Sequence, residues 1–247
     1  KQGRMADRVR FGLNRWNFSS APSFALDVKA GEEAGWDLAL IPSSPLLLAD
    51  PYIMLTFAAR GTNQIGLGPF VETPVLRHPA VLASSIATLD ELAPERALLT
   101  LGSGDTAVRL LGKEPATVAE LEAATNLTRQ LLAGDEMNSG TREAARMEHA
   151  RPVPVWVAAG GLKTLRMAGR AADVVDFLTE EAIDAFMVYG SASEIRDQLR
   201  AVLELDLGVS TIVVHRLPGG GSPPSGATWK DEFAREVIEQ LEPITVD

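Results

Sequence analysis

The chain contains no cysteine, so neither a disulfide framework nor thiolate chemistry is available to it. Histidine is almost as scarce: the three present, His78, His149 and His215, lie far apart in the sequence. That scatter argues against a structural zinc site. Cations are outnumbered, with 23 Lys and Arg against 33 Asp and Glu, for a net charge of −10. Such an acidic balance argues against nucleic acid as the main partner, because phosphate binding needs a basic surface. No apolar run approaches the roughly 18 residues that a membrane span requires, so the expected location is the cytoplasm. Lys1–Arg4, ahead of Met5, lacks the apolar core of a signal peptide and reads as a cloning remnant.

What is present points to an α/β protein. The 247 residues, 46% hydrophobic and 23% charged, suffice for one large domain with a sizeable core or for two small ones. Arg8–Leu13 alternates as a strand, Ser23–Ala34 has helical spacing up to Gly35, and Asp37–Ile41 is a second strand stopped by Pro42. Asp50 stands as an N-cap before Pro51 at the head of a helix reaching Arg60. Ile65–Val71 is a third strand, Pro79–Leu92 a helix, and another strand begins at Ala97. Thr117 and Glu120 signal the start of a helix over Val118–Leu132. Val153–Gly161 is a strand ending in paired glycines, followed by a helix, Leu162–Ala171, and a strand, Ala172–Asp176. Two helical segments, Glu180–Met187 and Ser193–Glu204, then come back to back. A strand at Ser210–His215, a Gly/Pro/Ser-rich loop at Pro218–Gly226 and an amphipathic helix at Lys230–Leu241 complete the order. Strands alternating with helices of this length imply βαβ units and a parallel sheet. Seven strands are one short of a closed eight-stranded barrel, and a doubly wound open sheet has the same periodicity.

Ala97–Asp105, ALLTLGSGD, is the stretch with most chemistry in it. A buried apolar strand runs into Gly102-Ser103-Gly104-Asp105, where glycine lets the backbone turn tightly and approach a ligand. Ser103 and its neighbouring amides are suited to an anionic group, and Asp105 offers a carboxylate at the strand's carboxyl end, where α/β sites form. Gly160 and Gly161 close a strand and open a helix, so backbone N–H groups and the helix dipole favour an anion there as well.

Glu33-Ala34-Gly35-Trp36-Asp37, Ala59-Arg60-Gly61-Thr62, Ile65-Gly66-Leu67-Gly68-Pro69 and Arg77-His78-Pro79-Ala80 resemble one family in order. Ala87–Leu92, Gly102–Asp105, Trp156–Gly161 and Ala168–Asp173 continue the likeness. The family is that of the luciferase-like flavin- and deazaflavin-dependent oxidoreductases. Gly104-Asp105 with Leu111-Gly112 and Pro115-Ala116 is most similar to its methylenetetrahydromethanopterin reductase branch, whose members use coenzyme F420.

The resemblance implies a single (β/α)8 TIM-barrel domain over residues 5–247, with its site at the carboxyl ends of the strands. It also implies that family residues are missing near Asp176-Phe177. The implied activity is hydride transfer between F420 and a small organic substrate. An FMN-dependent monooxygenase on the same barrel, and a cofactor-binding protein without turnover, are the alternatives. Ala159, Gly160 and Gly161, with Ser103 and Gly104, are the implied cofactor contacts. Phe70-Val71 is the implied position of a non-proline cis peptide behind the ring. Asp105 and Ser44 are the candidate catalytic residues, and an acid role for Asp105 near neutral pH would need burial to raise its pKa. Pro42-Ser43-Ser44 stands where many relatives carry an acid-His pair, and serine cannot act as a general base near neutral pH without activation. His78 is expected to join strand and helix, while Asn14 and Trp16 are candidates to line the pocket. Arg109, Lys113 and Lys163 are a candidate basic rim for an acidic cofactor tail. Homodimerisation, common in the family, has candidate surfaces in Ile53–Ala59 and Ala80–Leu89, which core packing explains equally well.

Overall fold

The computed structural model describes residues 9–14, 16, 18–137, 145–177, 192–203, 211–214 and 229–241. The expected helix Glu180–Met187, the loop Pro218–Gly226 and the segment Lys1–Arg4 lie outside the described residues. The strands are β1 (Arg10–Leu13), β2 (Leu38–Ile41), β3 (Gly66–Pro69), β4 (Leu99–Leu101), β5 (Val155–Ala159), β6 (Val174–Phe177) and β7 (Thr211–Val214). The helices between and after them are α1 (Ala21–Glu33), α2 (Pro51–Gly61), α3 (Pro79–Leu92), α4 (Thr106–Arg109), α5 (Val118–Ala133), α6 (Leu162–Ala171), α7 (Ala192–Leu203) and α8 (Trp229–Phe233).

Local chemistry accounts for where the helices begin. Asp50 Oδ1 accepts from the backbone N–H groups of Tyr52 and Ile53 at 2.9 and 3.2 Å, ahead of Pro51 in the first turn. His78 Nδ1 accepts from Ala80 N–H at 3.2 Å, so this histidine caps α3 as a structural residue. Thr117 and Glu120 form a reciprocal capping box on α5, which Gly134 closes at φ +76°. The four-residue α4 was not expected, and the expected helix Lys230–Leu241 divides into α8 and a π-helical turn over Ala234–Ile238.

The strands pair in parallel in the orders β3-β2-β1-β7 and β4-β5-β6. Bridges Leu67–Ala97 and Glu72–Leu101 join the two runs, giving one row in the order 7-1-2-3-4-5-6. Neighbours in the row from β1 to β6 are neighbours in the chain, which is barrel-type winding. A doubly wound sheet would reverse direction at a switch point, so that alternative is removed. The expected break at Asp176-Phe177 falls inside β6, whose pairing with β5 extends to Ala159–Phe177.

Period-two alternation divides the strand residues between two cores. Phe11, Leu13, Ala39, Ile41, Leu67, Leu99, Leu101, Val155 and Val157 pack in the helix-facing core. Leu38, Leu40, Leu98 and Trp156 form the inner cluster, with Phe70 and Val213 against it. Room for that inner cluster comes from glycine: a Cβ on Gly66 would stand 2.5 Å from Leu38 Cδ2, and one on Gly68 would run into the Leu98 carbonyl oxygen. Carboxylates fasten the amino ends of the strands. Asp37 Oδ2 accepts from Phe11 N–H at 2.8 Å and Asp173 Oδ2 from Val155 N–H at 2.9 Å, each tying one strand to the next. Glu32, at the end of α1, accepts from the N–H groups of Asn63, Gln64 and Ile65 and so anchors the approach to β3.

Trp16, a candidate pocket residue, is buried within this framework. Its Nε1 donates to the Leu13 carbonyl at 2.8 Å, its ring fills the space beside Gly31, and Lys230 Nζ lies 4.9 Å from its ring centre. Asn14 is likewise buried. Because Gly68 sets the spacing of β3 and β4, Gly68→Ala is expected to destabilise the protein by about 2–3 kcal/mol, read as a lowered midpoint in urea denaturation.

Candidate active site

β3 ends at Pro69, and beyond it the chain leaves the regular ladder. The Phe70–Val71 peptide bond is cis, as the resemblance implies, and the ladder resumes at Glu72. There Glu72 N–H donates to the Thr100 carbonyl and Gly102 N–H donates to the Glu72 carbonyl, both at 2.8 Å. Between these anchor points Val71 turns towards β4. A Cβ on Gly102 would meet Val71 Cγ2 at 3.2 Å and the Ala158 Cβ at 3.7 Å. Val71, Gly102 and Ala158 therefore converge at the carboxyl ends of three neighbouring strands. Phe70 N–H donates to the Ile41 carbonyl at 2.8 Å, and its ring packs against the inner cluster beneath.

Strand register places Ala158 and Ala159 on opposite faces of β5. The Ala159 side chain is buried in the helix-facing core, whereas Ala158 is half-buried and faces Gly102. Alternation along β5 requires this, since Val155 and Val157 share the outer face with Ala159. Gly160 and Gly161 stand at the rim. Gly161 caps α6 in an extended conformation, φ −170°, without a side-chain cap, and open space lies where its Cβ would be.

The Gly102–Asp105 turn is held by backbone contacts. The Ser103 carbonyl accepts from Thr73 Oγ1 at 3.1 Å and from Ala116 N–H at 2.9 Å. Gly104 has φ +85°, and a Cβ there would collide with Val108. Asp105 projects outward with its side chain 79% exposed, paired at 2.8 Å with Arg109, itself also 3.8 Å from Glu114. The burial that an acid near neutral pH would need is therefore not at Asp105, and Arg109 shares its charge with two carboxylates. Lys113 and Lys163 are exposed. In the β2–α2 loop Ser44 is half-buried, and its hydroxyl is enclosed without a hydrogen-bond partner.

The buried acid is Glu72, which sequence reasoning did not single out. It is 1% exposed, and charged or polar groups from two other segments surround it. Arg77 pairs with Asp50 and stacks over the Tyr52 ring at 5.1 Å, leaving its Nε 3.7 Å from Glu72 Oε1. The Ser43 hydroxyl and the Thr73 N–H also reach towards the carboxylate, but neither closes a hydrogen bond of good geometry. One guanidinium thus serves two carboxylates and sits on Asp50. Burial wins over Arg77 and Ser43 and pushes the Glu72 carboxyl from 4.5 up to about 7. Burial also drives the Tyr52 phenol well above its ordinary range. The one signal in the sequence was a lone carboxylate between Val71 and Thr73 at the end of an otherwise apolar strand.

Residues 28–175 match the family model described as luciferase-like monooxygenase. The chain belongs to that family. Its curated relatives include an F420-dependent glucose-6-phosphate dehydrogenase of Kineococcus radiotolerans, 38% identical over 134 residues, which cover 49% of this chain and 40% of the relative. A 5,10-methylenetetrahydromethanopterin reductase of Archaeoglobus fulgidus is 29% identical over 201 residues, 74% of this chain and 59% of that protein. Among solved structures, the coenzyme F420 dependent tetrahydromethanopterin reductase of Methanopyrus kandleri superposes with a TM-score of 0.63 at 25% identity, covering 83% of this chain and 65% of that one. This member of the family thus spans about two fifths to three fifths of the length of the curated relatives it matches. The likeness extends to the reductase branch expected from the sequence.

Glu72 makes stability depend on pH. The native carboxyl holds its proton up to about pH 7, whereas the unfolded chain releases it near 4.5. Between these values unfolding releases a proton, so stability falls as pH rises, by up to about 3 kcal/mol over the window. Denaturation at pH 5 and pH 8 is expected to show this loss in the wild type and a much smaller one in Glu72→Gln.

Proposed function

We propose that this luciferase-like protein is an oxidoreductase that binds coenzyme F420 and moves a hydride between its deazaflavin ring and a small organic substrate. The observation that carries the reading is the convergence of Val71, Gly102 and Ala158 beneath the open amino terminus of α6. The names of the relatives, F420-dependent in both the dehydrogenase and the solved reductase, support it.

The residues present fit such a cofactor. Gly102, without a side chain, leaves a flat apolar seat bordered by Val71 and Ala158, suited to one face of a planar ring. Opposite that face the site is left for substrate. Gly160 and Gly161 allow a phosphate to come close to the backbone, where the N–H groups of the first turn of α6 favour an anion. When bound, F420 supplies a two-electron hydride donor or acceptor. The protein's part is to orient the ring, hold the tail and manage the accompanying proton.

In this reading the protein is a cytoplasmic homodimer. Ile53 and Phe57, one turn apart on α2, are 61% and 45% exposed, and Val81 on α3 is 49% exposed. Together with Leu46 and Leu47, also exposed, they supply apolar surface for a second copy of the chain. Phe57→Glu is expected to shift the sedimentation coefficient from that of a dimer to that of a monomer; a wild type that sediments as a monomer would remove the dimer from the reading.

The cofactor is tested by fluorescence titration of the purified protein with F420 and, separately, with FMN. Tight F420 binding is expected, weakened at least tenfold in Gly161→Asp, because open space lies where a Cβ at this position would be and the added carboxylate would repel a phosphate. FMN binding without F420 binding would favour monooxygenation with reduced flavin. Binding of neither would overturn the proposal.

A further inference from the structure

Pro42-Ser43-Ser44 brings no general base of its own to the carboxyl end of β2, yet the fold sets a carboxylate behind it. Glu72 follows the next strand, its two oxygens are enclosed without a hydrogen-bond partner, and the Ser43 hydroxyl, in the half-buried loop after β2, is directed towards it without closing a hydrogen bond. We propose that Ser43 and Glu72 form the proton-exchanging pair of this site, with Ser43 meeting an alcohol or carbonyl oxygen of the substrate and Glu72 acting through Ser43 as a positioning residue. The proposal rests on the oxidoreductase reading above and names the substrate class for it.

The surroundings of Glu72 leave Ser43 as its outlet. Arg77 is committed to Asp50 and donates protons without accepting them. Asp50 accepts from the first turn of α2 and from Arg77, so it is already engaged. Tyr52 lies behind the cluster with its hydroxyl enclosed, and burial keeps it protonated. On the β4 side the Thr100 carbonyl and the Gly102 N–H are bonded to the Glu72 backbone. Ser43 alone among the described groups that face Glu72 combines a rotatable hydroxyl, able to donate and accept, with partial exposure at the carboxyl end of β2.

For an alcohol, the bookkeeping of atoms is closed. The C–H bond breaks with its electron pair, and the hydride passes to the oxidised deazaflavin. The O–H proton passes to Ser43 Oγ as the Ser43 proton passes to the Glu72 carboxylate. The products are a carbonyl compound, the reduced cofactor and a protonated Glu72. Carbonyl reduction runs the same steps backwards and starts from protonated Glu72. A carboxyl that titrates near neutral pH serves both directions.

The test follows the proton directly and then the chemistry. Infrared difference spectra of the full chain between pH 5 and pH 9 are expected to show a protonated-carboxyl band with a midpoint near 7. That band should be absent in Glu72→Gln. In Ser43→Ala its midpoint should move to higher pH, because a hydroxyl that favours the carboxylate is gone. With F420 and a panel of secondary alcohols, reduction of the cofactor should rise with pH through the same midpoint. Glu72→Gln should lower the rate about 100-fold and flatten its pH profile, Glu72→Asp should restore the profile in part, and F420 affinity should stay within about twofold in both. A band that ignores Ser43→Ala, or a Glu72→Gln protein with the wild-type pH profile, would overturn the pair while leaving the F420 reading in place. Failure of the wild type to bind F420 would overturn both.

Discussion

The seam between β3 and β4 is the constraint on which the rest of the molecule depends. Two runs of parallel strands meet there, and they touch through Leu67–Ala97 below and Glu72–Leu101 above. The approach is possible because Gly68 carries no side chain to meet the Leu98 carbonyl. Between the two bridges the chain leaves the ladder, and that departure turns Val71 onto Gly102. A side chain at Gly102 would fill the seat from the β4 side. Core packing and site geometry are therefore consequences of one close approach of backbone to backbone.

The same seam explains the charge pattern. When the ladder resumes at Glu72, its backbone is committed to Thr100 and Gly102, and its side chain is carried into the cleft between β2, α2 and the loop after β3. Arg77 enters that cleft too, but the amino terminus of α2 already requires Asp50 as a cap, and Arg77 pairs with it. A carboxylate left with a guanidinium at 3.7 Å and almost no water is poorly compensated, and holding its proton is the cheaper state. By contrast, Asp37, Asp173 and Glu32 accept directly from backbone N–H groups. These three carboxylates fasten the framework, whereas both Glu72 side-chain oxygens are buried without a hydrogen-bond partner.

Much of the framework was legible in the sequence. The helices Pro79–Leu92 and Leu162–Ala171 were found to the residue, because His78-Pro79 and Gly160-Gly161 mark their starts and leucine and alanine repeat along one face. Thr117 and Glu120 marked the start of a helix, and they form a capping box there. Strand ends were harder, since an apolar run does not say where pairing stops: Ile65–Val71 shrinks to Gly66–Pro69 once the chain leaves the ladder. The motif residues Asp37 and Asp173 turn out to be carboxylates that fasten one strand to the next.

By itself the sequence determined the parallel α/β class, the order of its elements, the family resemblance and the glycines at the rim, because periodicity, capping and backbone freedom are local properties. Only the tertiary structure decided between a sequentially wound row and a doubly wound sheet, because identical βαβ units build both and neighbour order is a property of the whole. It also decided which of Ala158 and Ala159 faces the site, since a shift of one residue along a strand exchanges its faces. Finally, it decided which acid is buried. Asp105 and Glu72 look alike in the sequence, but one meets solvent and Arg109, and the other meets Ser43, Tyr52 and an arginine already taken by Asp50. Burial is set by what the rest of the chain brings to a residue, and no local pattern records it.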